Sequence, residues 1–85
     1  MPTKPNAIED TEDAKQMVRH CVHRFGLGFH IDTPFADYVD ANGDPILCDM
    51  DADAYERQMD AAYDMLTNAG ADPYEIALTY MRDTF

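Results

Sequence analysis

Positive charge is scarce in this chain. Six lysines and arginines stand against 17 aspartates and glutamates, giving a formal net charge of −11 at pH 7. That balance argues against nucleic acid or an anionic membrane as a direct ligand, because both surfaces repel it. Cysteine is scarce too. Cys21 and Cys48 are the only two, too few for a disulfide scaffold. Both sit among apolar neighbours, so two reduced thiols are expected, with a single Cys21–Cys48 bridge as the alternative. Long apolar runs are missing: none approaches the ~20 residues that a membrane-spanning helix needs. Met1 to Asn6 lack the apolar stretch of a signal peptide. A cytoplasmic protein is expected. Length is also short. Eighty-five residues exclude a two-domain enzyme, a TIM barrel or a full dinucleotide-binding fold.

What is present suffices for a packed core. Hydrophobic residues make up 46% of the chain, which excludes wholesale disorder. Residues 1–9 read as a polar, proline-containing flexible lead, and residues 10–85 as a single domain. Asp10 or Thr11 opens a first helix. Its apolar face is Ala14, Met17, Val18, Cys21, Val22 and Phe25, at steps of three and four. Gly26 stops it. A connector follows over 26–35, where Thr33-Pro34 suggests a short helical turn over 34–37. Tyr38-Val39-Asp40 and Ile46-Leu47-Cys48 flank Asn42-Gly43, the pattern of a β-hairpin. Asp49 or Asp51 caps a second helix over 52–68, with a buried stripe of Tyr55, Met59, Ala62 and Leu66, ended by Gly70. Asp72-Pro73-Tyr74-Glu75 starts a third helix with a cap, a first-turn proline and an acid at the capping-box position. The fold class expected is α+β: helix, short β-hairpin, two helices, with the helices layered on a small sheet.

The third helix is apolar around more than half its circumference (Tyr74, Ile76, Ala77, Leu78, Tyr80, Met81). That width leaves Ile76 and Tyr80 as candidates for contact with a partner or a second copy. The methionines, Met50 among them, read mostly as core positions.

The negative charge is unevenly spread. Residues 31–64 hold ten of the acids against one base, Arg57. On the second helix Asp53, Asp60 and Asp64 fall in a narrow band with Glu56 beside them, opposite the apolar stripe. The band is expected to continue upstream through Asp49 and Asp51, and to the hairpin tip at Asp40 and Asp44. A solvated face is the ordinary explanation. Three features go beyond it. Glu56/Asp60 and Asp60/Asp64 are like-charge i,i+4 pairs, each costing about 0.2–0.5 kcal/mol. Asp64 lies toward the negative end of the helix dipole. Aspartate outnumbers glutamate 13 to 4 although glutamate is the better helix former. Residues four apart rise about 6 Å along a helix, similar to the step between phosphates on a nucleic-acid strand.

Other constellations are weaker. Asp40-Ala41-Asn42-Gly43-Asp44 with Asp51 has the spacing of a calcium loop, but Pro45 stands where that loop needs glycine. His20 and His23 are i,i+3 without a second ligand pair, and read as surface histidines. His30, Asp32, Thr33 and Tyr38 offer a histidine–carboxylate pair without a nucleophile or an oxyanion hole. No metal, no cofactor and no enzymatic activity is expected.

In size, charge and lack of catalytic residues the chain resembles small acidic inhibitors from phages and mobile elements, of the anti-CRISPR and anti-restriction type that imitate DNA. The resemblance covers no motif. It implies a non-enzymatic inhibitor that excludes DNA or RNA from the basic groove of a host defence complex or nuclease. No residue is carried over from it; the charge pattern itself gives the expected contacts as Asp49, Asp51, Asp53, Glu56, Asp60 and Asp64, with Asp40 and Asp44 secondary and Phe35 or Tyr63 as flanking aromatics. The alternatives are a protein–protein or dimerisation module built on Ile76 and Tyr80, or an acidic domain whose charge only solvates it.

Overall fold

The computed structural model describes residues 3–25 and 39–85, with the side chain of Asp49 excepted. Three helices account for most of them: α1 (Thr11–Phe25), α2 (Asp49–Asn68) and α3 (Pro73–Thr84). The connector over 26–38, including Gly26, the turn over 34–37 and the group His30, Asp32, Thr33, Phe35 and Tyr38, lies outside the described residues.

Each helix starts and stops for a local reason. At α1, Asp10 Oδ1 accepts the Asp13 N–H at 2.8 Å, and Asp13 Oδ2 accepts the Glu9 N–H at 3.1 Å. Asp10 thereby satisfies a first-turn donor that helix geometry leaves free, and Asp13 reaches back to the backbone just ahead of the helix. At α3, Asp72 Oδ1 accepts the Tyr74 N–H at 3.0 Å and Pro73 takes the first helical position. Asp72→Ala is expected to cost about 1 kcal/mol, read as a lower urea midpoint with an unchanged slope. Between α2 and α3, Gly70 adopts φ +80°. The Ala71 N–H reaches the Leu66 carbonyl at 2.8 Å and the Gly70 N–H reaches Thr67 at 3.1 Å. That pairing is a Schellman motif, and it requires the left-handed residue that glycine supplies.

The expected α+β fold is corrected. Among the described residues there is no strand, only an isolated antiparallel bridge between Val39 and Pro45. The described residues form an all-helical fold. The turn itself is present: the Gly43 N–H donates to the Asp40 carbonyl, the Asp40 N–H to the Asp44 carbonyl, and Gly43 has φ +86°. The ladder stops there for two reasons. Pro45 has no N–H to continue it. Leu47 is buried, as is Ala52 in the first turns of α2. These are the N′ and N4 positions of a hydrophobic staple, and they draw the segment into a helix rather than a strand. The helix accordingly begins at Asp49, ahead of the expected 52, and its cap is Cys48 rather than Asp49 or Asp51.

The core is one cluster shared by all three helices. It contains Ala14, Met17, Val18, Cys21 and Val22 of α1, Ala52, Tyr55, Met59, Ala62 and Leu66 of α2, and Ala77 of α3, with Leu47 from the turn. The α1 face and the α2 stripe are those expected from periodicity. On α3 only Pro73 and Ala77 are fully buried, while Ile76, Leu78, Tyr80 and Met81 are half-buried.

Candidate functional site

Helix α2 divides the molecule's chemistry between two sides. On the core side, Tyr55 is a polar hub within an apolar cluster, only 5% exposed. Its hydroxyl accepts from Arg24 Nη1 at 2.9 Å and lies 2.7 Å from His20 Nε2, with the two rings stacked at 5.7 Å. Phe25 meets the Tyr55 ring edge-on, and Lys4 Nζ sits 5.2 Å from its centroid. Burial pushes the Tyr55 pKa up, with the Arg24 charge and hydrogen bond opposing. Tyr63 is half-buried against the core cluster, and burial likewise pushes its pKa up.

The histidines are corrected from surface residues. His20 is 8% exposed and bonded to Tyr55. His23 is half-buried, with Nδ1 at 2.9 Å from the Tyr80 hydroxyl. Among the described residues no three of His, Cys, Asp and Glu converge in a metal-binding arrangement.

On the outer side lie the acids. Asp53, Glu56, Asp60 and Asp64 are all exposed. At 3.6 residues per turn, Asp53, Asp60 and Asp64 lie within about 40° of one another, with Glu56 about 60° to one side of Asp53. Arg57 stands among them, about 40° to the other side. Among the described residues the ion pairs are Lys15–Glu12 and Arg82–Asp83, and neither involves this row.

The upstream extension of the row does not hold as expected. Asp51 falls about 160° around the helix from Asp53, on the side of Tyr55. Its Oδ2 accepts the Cys48 thiol at 3.0 Å, so it is not part of the band. The backbone of Asp49 returns to the acid side at the first turn, but its side chain lies outside the described residues. Asp40 and Asp44 are exposed at the turn. Asp40 Oδ1 is already engaged by the Asn42 and Asp44 N–H groups at 2.8 and 3.0 Å, which makes it the turn's own stabiliser. Tyr80 is held by His23 and meets Phe85 edge-on. Ile76 lines a surface groove of about 360 Å³ between α1 and α3, with Lys15 and Arg19 among the groove's cations and Glu75 and Asp83 among its acids.

One exposed residue was misread. Met50 is 81% exposed, not core. It lies about 60° from Asp53 around the helix, on the acid side. The signal was in the sequence, since the rotation that groups the acids also places Met50 beside them once the helix is known to begin at Asp49.

The chain matches no known family model, no characterised protein and no solved structure. No helix among the described residues is long and apolar enough to cross a membrane.

Proposed function

We propose that the chain is a non-enzymatic binding protein whose acidic α2 face docks into the cationic groove of a nucleic-acid-binding protein and excludes DNA or RNA from it. A nuclease or host defence complex is the partner class that its size and composition suggest. The observation that carries this reading is the exposed row Asp53, Glu56, Asp60 and Asp64, free of ion pairs among the described residues, on the outer face of the longest helix. Like charges spaced along a rigid helix are retained there at a cost to helix stability. A Lys/Arg groove built for phosphates would remove that repulsion and release its own counterions, as nucleic acid does.

The test uses tagged chain to retrieve partners from a lysate at low salt, followed by elution with increasing salt or with excess duplex DNA. A nucleic-acid-handling protein is expected, released by either eluent. The double reversal Asp60→Lys with Asp64→Lys is expected to retrieve none of it while melting no lower than the parent chain. Both sites are exposed; the reversals make the 56/60 pair attractive, leave the 60/64 pair like-charged, and put a cation in place of Asp64 toward the negative end of the helix dipole. Retention of the partner by the double variant, or failure of DNA to compete, overturns the reading.

A further inference from the structure

An acid row explains charge but not Met50. A methionine 81% exposed in the first turn of a helix is not the end of a buried stripe. Farther along the same side of α2, Arg57, Ala61 and Asp64 are exposed as well. The turn that leads into this helix end carries two more exposed aliphatic side chains, Val39 and Ile46. Leu47, between Ile46 and the helix, is the residue turned inward. The described carboxylates bordering the turn and the helix start, Asp40, Asp44, Asp51 and Asp53, are exposed. Met50 is thus an exposed apolar side chain on the acid side of α2, at the Asp53 end of the row.

From this we infer that Met50 is the apolar anchor of the docking surface. Its occupant is a cationic protein surface with an apolar recess beside its Lys/Arg strip. The inference rests on the acid-face reading above and narrows its partner. Charge complementarity sets the sign of that partner, since an anchor beside the exposed acid row repels acidic surfaces and anionic membranes. A flexible, polarizable thioether suits a recess whose shape it can follow. Fully burying such a side chain contributes enough to tighten binding about tenfold. The acids then supply approach and orientation, and Met50 supplies a contribution that salt does not screen.

Two defined probes separate the parts: a helical peptide with lysines on one face and leucines on the other, and an oligolysine of equal charge. Binding to the full chain is followed by fluorescence anisotropy across a salt series. The amphipathic peptide is expected to bind about tenfold tighter than oligolysine. Met50→Ser should remove that advantage and leave oligolysine binding unchanged, while Met50→Leu should retain it. The Asp60→Lys/Asp64→Lys variant should lose both probes. Equal affinity for the two peptides, or an unaltered advantage in Met50→Ser, overturns the anchor while the acid face stands. Binding of both peptides by the charge-reversed chain overturns the acid face itself, and the anchor with it.

Discussion

Leu66→Ala is expected to remove about 2–5 kcal/mol of stability, the range for truncating a fully buried leucine. Leu66 has no exposed surface and sits where α2 ends. Its carbonyl also closes the Schellman turn by accepting the Ala71 N–H. Shortening its side chain leaves a void that a domain this size has few residues to refill. An 85-residue chain is stable by roughly 4–13 kcal/mol at ~0.05–0.15 kcal/mol per residue. The substitution therefore removes a large share of the total. Urea unfolding should show the midpoint falling with the slope unchanged. Met50→Ala, on the outside of the same helix, should change stability by less than about 0.5 kcal/mol. A Leu66→Ala chain as stable as its parent would mean that the three helices do not share the single core described.

The second large effect is a loss of stability in alkali. Cys21 has no exposed surface, and burial pushes its thiol from 9.0 up to about 12, with the Lys4 and Arg24 charges pulling the other way. The neutral thiol is the form that the fold accepts. The contribution is therefore fully present below pH 9, where both folded and unfolded chains keep the proton. It is lost as pH rises, because the unfolded chain ionises first. The slope is about 1.4 kcal/mol per pH unit until the folded thiol itself ionises. Tyr55 and Tyr63, also raised by burial, act in the same direction above the ordinary tyrosine range. Denaturant titrations at pH 8, 9, 10 and 11 should show falling stability, and Cys21→Ala should flatten the fall between 9 and 10. A flat profile in the parent chain would place Cys21 in contact with water.

The acid-face and anchor readings ask different things of the same helix. Charge reversal at Asp60 and Asp64 tests whether the row is recognised at all. Met50 tests whether recognition includes an apolar recess. A face that only keeps the chain in solution would respond to neither. Arg57 stands within the row, so the face is not uniformly negative. A groove that receives it needs an acceptor or an open edge at that position, which a uniform phosphate track would not require.

Much of this was legible from local patterns, and the reason is physical. The apolar faces of α1 and α2 follow from a 3.6-residue period. Asp72-Pro73 at the start of α3 and Gly70 at the end of α2 act through hydrogen bonds and backbone angles spanning only a few residues. The exposure of Asp53, Glu56, Asp60 and Asp64 follows from lying opposite the buried stripe. None of these depends on what packs against the helix.

What only the tertiary structure decided depends on distant partners. Asn42-Gly43 forms its turn in either fold, but whether strands grow from it depends on Leu47, which the core takes inward beside Ala52. That capture starts α2 at Asp49, leaves Met50 outside and carries Asp51 around to the Tyr55 side. His20 and His23 look solvent-facing by spacing, yet Tyr55 and Tyr80, 35 and 57 residues away, bring them into packed contacts. Sequence alone therefore determined the helices and the negative outer face of α2, because both arise from interactions within a few turns. The tertiary structure determined where α2 begins and which side chains its first turn presents, because those follow from burial against residues far along the chain.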